Sequence, residues 1–382
     1  VVCLTRIGGT VINLSILEKN NLFSDCDLNE NTFGKSSLND FLTQNKSTWR
    51  SVRAAICNLY TKGNSKYEKN SKLRNLAEWN ASEILMSLPV EIGDYTDFYA
   101  SKEHATNVGS MFRDPKNALL PNWSHLPVGY HGRSSTIFST PKEINRPNGQ
   151  TKKPSEDFPV FGPSQKIDFE LEVGFVTGNG PRNGDSISVE LAEDSIFGLV
   201  LLNDWSARDI QQWEYVPLGP FLAKNFASCI SPWIITLDAF EPFRSDRPIQ
   251  NNPEPLPYLQ QPPNGANFNI ELQVGIRPEG SEETIICESN FKHMYWSIAQ
   301  QLAHHSINGC IINAGDLMGS GTISGPSKGS HGSMLEISWN GKHPIKLPNG
   351  KTRSFIEDND TIILRGSAIK DDLKIGFGEC LS

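Results

Sequence analysis

From about residue 90 onward, apolar and polar residues alternate in short runs punctuated by Gly and Pro, the pattern of strands and turns. Phe169 to Thr177 is the clearest case, with Phe169, Leu171 and Val173 facing one way and Glu170 and Glu172 the other. Phe197 to Asn203 is an unbroken apolar run that fits a buried strand. Phe268 to Val274, Met334 to Trp339 and Thr361 to Leu364 predict further strands, separated by a Pro-rich loop at Pro253 to Pro263 and a Gly-rich turn at Gly319 to Gly325. A helix is predicted over Phe291 to Ser306, with Met294, Ile298 and Leu302 on one face and Asn308-Gly309 as its stop. Residues 1–89 differ in texture, with a strand at Thr10 to Leu17, a Ser/Asn/Lys-rich middle and a helical stretch near Leu73 to Met86. Proline in Leu88-Pro89-Val90 marks a junction before the extended segment that follows. The chain is therefore α+β, mostly β, with a domain boundary at residue 89/90.

Composition narrows the function classes. A formal charge of −8 offers no basic field for phosphates, so no nucleic-acid partner is expected. The longest apolar run, Ile196 to Leu202, is far short of the roughly 18–20 residues that cross a bilayer, so no membrane association is expected. The 7 cysteines lack C-x-x-C spacing, which fits reduced thiols in a cytoplasmic protein. The chain begins at Val1 rather than Met, as a fragment without its natural start would.

The candidate chemistry begins at Asp168-Phe169-Glu170-Leu171-Glu172. Two carboxylates side by side on one strand face repel unless a cation or proton lies between them. Taken alone, such a pair is more often a solvated face, but the core-like flanks count against that here. The next apolar strand ends at Asp204, a third carboxylate. Carboxylates without thiol or imidazole partners favour Ca2+ or Mg2+ over zinc. The segment Asp204 to Lys224 adds Arg208, Gln211 and Lys224, donors able to meet developing negative charge. Spacing alone does not select among His104, His131, His304 and His305, and the adjacent His304 and His305 cannot share a helix face. The glycines of Gly319 to Gly325 do not follow a nucleotide-binding spacing. A tight turn presenting backbone amides and the Thr322 hydroxyl is expected instead.

Six strings taken together resemble the fumarylacetoacetate hydrolase family: GDYTDFY (Gly93 to Tyr99), HATNVG (His104 to Gly109), LPVGYHGR (Leu126 to Arg133), DFELEVGF (Asp168 to Phe175), NDWSARDIQQWEYVPLGPF (Asn203 to Phe221) and SGTISGP (Ser320 to Pro326). The resemblance runs from about residue 90 to 380 and is looser before that. It implies a small SH3-like β-barrel N-terminal domain (residues 1–89), then a large mixed β-roll catalytic domain (90–382), assembled as a homodimer. The implied activity is hydrolysis of a carbon–carbon bond in a small acidic β-diketone, 4-fumarylacetoacetate, giving fumarate and acetoacetate. That is the last step of tyrosine and phenylalanine catabolism.

Carried onto this chain, the resemblance implies a Ca2+ site at Asp97, Glu170, Glu172 and Asp204, and a Mg2+ site at Asp204, Lys224 and Ser228. The family carries threonine where this chain has Ser228. His104 would be the general base, oriented by Glu336, with Arg208, Gln211 and Lys224 stabilising charge. Tyr99, Arg113, Tyr130, Gln211, Tyr215 and Thr322 would contact substrate. Smaller relatives keep the Glu, Glu, Asp triad for acylpyruvate hydrolysis, decarboxylation or hydration. A silent, metal-braced protein is the other alternative. The N-terminal domain, Asp97 and the His104 string favour the first reading, and a purely structural site needs no His104 with Glu336.

Overall fold

The run Ile196–Asp204 forms the middle of an eight-stranded sheet because both of its faces are covered. Leu199 and Leu201 enter one apolar cluster, whereas Val200 and Leu202 enter another on the opposite face. The structure is a computed structural model that describes residues 3–182 and 184–382. Across the sheet the strand order is Gly129–His131, Tyr95–Phe98, Leu317–Gly319, Leu171–Thr177, Ile196–Asp204, Ser228–Ile230 and Ile137–Ser139, with Ile235–Thr236 also pairing with Ile196–Asp204.

The first face packs on a four-stranded antiparallel sheet, ordered Thr284–Asn290, Glu271–Pro278, Asp360–Lys370 and Leu373–Leu381. Leu171, Val173 and Phe175 meet Leu272, Val274, Leu364 and Phe377 in the shared core. The β structure curls around this core as a half-barrel, and the fold is mixed α+β.

The opposite face is divided along its length. At one end, Val176, Phe197, Val200 and Leu317 pack against Leu17, Phe41, Trp49 and Val52 of the N-terminal segment. At the other end the same alternation places Asp97, Glu172 and Asp204, which lie two residues along from Tyr95, Gly174 and Leu202. One set of strands thus supplies an apolar platform and, farther along, a buried acidic one.

Several expected elements differ. Where a small SH3-like barrel is expected, the described residues form an open three-stranded sheet (Leu4–Ile7, Thr10–Asn13, Glu78–Asn80) flanked by helices. The strand predicted over Thr10 to Leu17 stops at Asn13, whose side chain accepts from the amides of Ser15 and Ile16 and starts a helix, Leu14–Lys19. The helical stretch near Leu73 is Ser71–Ala77 only. In the Ser/Asn/Lys-rich middle, Asn45 caps a helix, Lys46–Leu59, that buries Trp49, Val52 and Leu59. The helix predicted from Phe291 begins at Ile298, where Ser297 and Gln300 form a capping box; the residues before it make a 3-10 turn at Phe291–His293. Met334 to Trp339 is not a strand: Met334–Ile337 is one helical turn, capped by Ser333. The segment Phe268 to Val274 divides into Asn267–Phe268 and Glu271–Pro278, and Thr361 to Leu364 lies inside Asp360–Lys370. No helix among the described residues is long and apolar enough to cross a membrane.

Candidate metal centre and catalytic pair

Asp97, Glu170, Glu172 and Asp204 converge, each offering an oxygen within 4.8 Å of the others, and all are buried. Strand register brings them together: Asp97 pairs with Gly319, Gly319 with Gly174, and Glu172 with Leu202. Gly319 leaves the space that Asp97 and Glu172 use. A Cβ there would lie 2.9 Å from Asp97 Oδ1 and 2.9 Å from Glu172 Oε2. The expected turn after Gly319 takes a left-handed conformation at Gly321 (φ 79°) and donates its amide to Glu172 Oε2 at 3.0 Å.

Two cations balance part of this charge. Lys224 Nζ lies 2.5 Å from Glu170 Oε2 and 2.6 Å from Asp204 Oδ2. Arg208 Nη2 is 2.7 Å from Glu170 Oε1, an ion-pair contact without hydrogen-bond alignment. Burial alone would raise the Glu170 carboxyl, but Lys224 and Arg208 hold it well below the usual range. Burial likewise disfavours the Lys224 ammonium, yet Asp204 and Glu170 keep it charged.

For Asp97 and Glu172 the help from Lys224 is outweighed. Asp97 Oδ1 and Glu172 Oε1 are buried without a hydrogen-bond partner. Burial first, then the neighbouring carboxylates, push both well above ordinary carboxyl values. Unpartnered buried oxygens in an all-carboxylate set are what a hard divalent cation satisfies, so these residues fit a Ca2+- or Mg2+-type ion. Ser228 Oγ donates to Asp204 Oδ1 at 2.7 Å, and the Tyr130 hydroxyl lies 3.4 Å from Asp204 Oδ2.

Beside the cluster, His104 sits on the helix Lys102–Phe112, whose N-cap Ser101 accepts from the His104 amide. Its Nδ1 is 2.7 Å from Glu336 Oε2, and both side chains are buried. Glu336 also accepts from Asn107 Nδ2 at 2.9 Å, from Ser333 Oγ at 3.0 Å, and from Ser324 Oγ at 3.0 and 2.9 Å to its two oxygens. Burial opposes the charge on Glu336, but His104 first and then the Asn107 amide bring its carboxyl down to about 2. With Nδ1–H committed to Glu336, Nε2 is the atom free to take a proton. Ser333, which bonds Glu336, pairs with Glu170 in a β-bridge, and this places the pair next to the cluster.

The remaining candidates spread outward. Gln211 Oε1 accepts from Arg208 Nη1 at 3.1 Å. The Tyr99 ring stands edge-on to His104 with centroids 5.3 Å apart. Thr322 is buried between Gly321 and Ile323, both of which are bonded to the strand bearing Glu172. Arg113 binds the carbonyl of Ala118 within its own loop, and Tyr215 is exposed. His304 and His305 point apart, to Tyr258 and Thr96. The sequence reading leaves Asn107, Ser324 and Asp168 without a role. Asn107 was findable, since it lies three residues after His104 on one helix face, and Asp168 extends the alternation of Glu170 and Glu172.

Fold and site define a mixed α+β protein with a buried acidic cluster able to hold a divalent cation beside a His–carboxylate pair. Residues 94–380 match the family described as Fumarylacetoacetate (FAA) hydrolase C-terminal, and residues 2–89 match Fumarylacetoacetase N-terminal. The chain belongs to the fumarylacetoacetate hydrolase family. It is 51% identical to the fumarylacetoacetase of Dictyostelium discoideum, over 98% of this chain and 88% of that one. Against the fumarylacetoacetase of Homo sapiens it is 48% identical, over 98% and 89%. A crystal structure of maleylpyruvate hydrolase from Sphingobium sp. SYK-6 shares the fold, with a TM-score of 0.51, 13% identity, and coverage of 99% of this chain and 93% of that one.

Proposed function

We propose that this chain hydrolyses the carbon–carbon bond of 4-fumarylacetoacetate, releasing fumarate and acetoacetate. The observation that carries the reading is the buried His104–Glu336 contact of 2.7 Å beside an acidic cluster, in a chain 51% identical to a fumarylacetoacetase. Glu336 holds His104 so that Nε2 accepts a proton from water, and the hydroxide attacks the ketone carbon next to the fumaryl group. Charge gathers on that ketone oxygen, where donors from Arg208, Gln211 and Lys224 stabilise it. The carbon–carbon bond then breaks, its electron pair leaves with the acetoacetate enolate, and the proton held by His104 returns to that carbon. Asp97, Glu170, Glu172 and Asp204 would hold Ca2+, and Asp204, Ser228 and the main-chain carbonyl of Lys224 would hold Mg2+. When bound, the cation supplies Lewis-acid stabilisation to a diketone oxygen. Lys224 donates its ammonium to Glu170 and Asp204, so its side chain acts as a counter-charge, not a ligand. Tyr99, Arg113, Tyr130, Gln211, Tyr215 and Thr322 would orient the substrate and its carboxylates.

Loss of β-diketone absorbance tests the reading, with wild type and His104→Ala compared before and after chelation and on adding back Ca2+ or Mg2+. Metal-dependent turnover by wild type and almost none by the variant is the expected result. Turnover surviving in His104→Ala overturns the base assignment, and an inactive wild type under every metal overturns the reaction.

We also infer a division into residues 1–89 and 90–382 and a cytoplasmic homodimer. The pairing surface would include Trp213, Val216, Leu218 and Phe221, all exposed, and Phe158 and Phe161 of the adjoining hairpin. Seven free thiols support the location.

A further inference from the structure

We propose that Asp168 is a positioning residue that aligns Arg208 and, through the same carboxylate, the helix carrying Glu336; this rests on the roles proposed above for those two groups. Asp168 is fully buried on the strand Ile167–Asp168, which pairs with Ser206–Ala207 just before Arg208. Its Oδ2 accepts from Arg208 Nε at 2.8 Å and from the Leu335 amide at 3.0 Å. Its Oδ1 accepts from the Met334 amide at 2.6 Å. These are the first two amides of the helix Met334–Ile337, and Glu336 is the next residue.

Each side of this junction needs the other. A helix of four residues is a single turn, too short to hold its own orientation. Its cap Ser333 also bonds the Glu336 carboxylate, so the turn and that carboxylate move as one piece. On the opposite side, seating Nε on Asp168 sets the guanidinium plane, which leaves Nη1 for Gln211 and Nη2 for Glu170. Without Asp168, Arg208 could turn two nitrogens onto Glu170 and leave Gln211. Because one oxygen serves both Arg208 and Leu335, a shift on either side is passed to the other. Asp168 therefore sets the distance between the charge-stabilising donors and the proton-accepting pair. That distance decides whether hydroxide and ketone oxygen are handled together.

Asp168→Asn tests this. The amide keeps the shape, but its NH2 faces either Arg208 Nε with the Leu335 amide or the Met334 amide. In either orientation at least one of the three bonds becomes a donor–donor clash and the group must shift. The expected result is a kcat lower by about 100-fold, KM within about threefold, and wild-type binding of Ca2+ or Mg2+. The proton between His104 and Glu336, observed by NMR, is expected to shift or broaden, which a general loss of stability in a folded variant would not produce. A kcat within about threefold of wild type, or a loss confined to KM, overturns the proposal. Should the variant fail to fold, the wild-type chain decides. The Arg208 Nε–H and the Met334 and Leu335 amides must exchange slowly and open together, and independent opening overturns the proposal. An inactive wild type defeats the proposed reaction, whereas the NMR and exchange measurements still decide the role of Asp168.

Discussion

His104 Nδ1 lies 2.7 Å from Glu336 Oε2 across 232 residues of sequence, and both side chains are buried. Removing the charge while keeping the shape, as in Glu336→Gln, should lower kcat by about 10²–10⁴-fold with little change in KM. Steady-state rates on fumarylacetoacetate check this.

The same carboxylate predicts a pH dependence of stability. Its value falls from 4.5 to about 2 on folding, so its contribution is fully present above pH 4.5 and is lost as pH falls toward 2. The gap in unfolding free energy between wild type and Glu336→Gln should be on the order of 3 kcal/mol at neutral pH and close across that window. Urea unfolding at stepped pH measures it.

Gly319→Ala should abolish metal binding without unfolding the chain, because the added Cβ would press against both Asp97 and Glu172 at 2.9 Å. Calorimetric titration with Ca2+ and with Mg2+, alongside thermal unfolding, separates the two effects.

Metal binding should release protons. Burial, reinforced by neighbouring carboxylates, raises Asp97 and Glu172, so the metal-free cluster retains protons that a cation displaces. Affinity should therefore increase as pH rises. Titrations in two buffers of different ionisation enthalpy count the protons released.

Lys224→Ala leaves Glu170 and Asp204 buried without their shared counter-charge. A loss of about 3–5 kcal/mol in stability is expected, together with most of the turnover. Added metal should recover part of the stability, and its melting curve with and without Ca2+ reads this out.

Much of the acidic centre was legible in the chain. Alternation from Asp168 to Thr177 placed Glu170 and Glu172 on one face, and the apolar run ending in Asp204 named a strand that had to be buried. Both are local consequences of a two-residue period and the cost of exposing apolar surface. The family strings identified the remaining candidates. Local pattern failed where capping intervened. Met334 to Trp339 has the apolar content of a strand, yet Ser333 and Asp168 supply acceptors for its first amides and turn it into a helix.

By itself the sequence determined which residues alternate, which run is buried, and that Glu170 and Glu172 share a strand face. Spacing left His104, His131, His304 and His305 equal and the family strings pointed to His104, but only the tertiary structure set Glu336 against its Nδ1 and directed His304 and His305 to Tyr258 and Thr96. It alone aligned Gly319 between Asp97 and Glu172, and brought Asp168 under both Arg208 and Met334. The reason is physical. Periodicity assigns each side chain a face, but the partner across that face depends on the register of distant strands. Register is chosen by burying both faces of the central sheet at once, a condition that no local stretch of sequence contains.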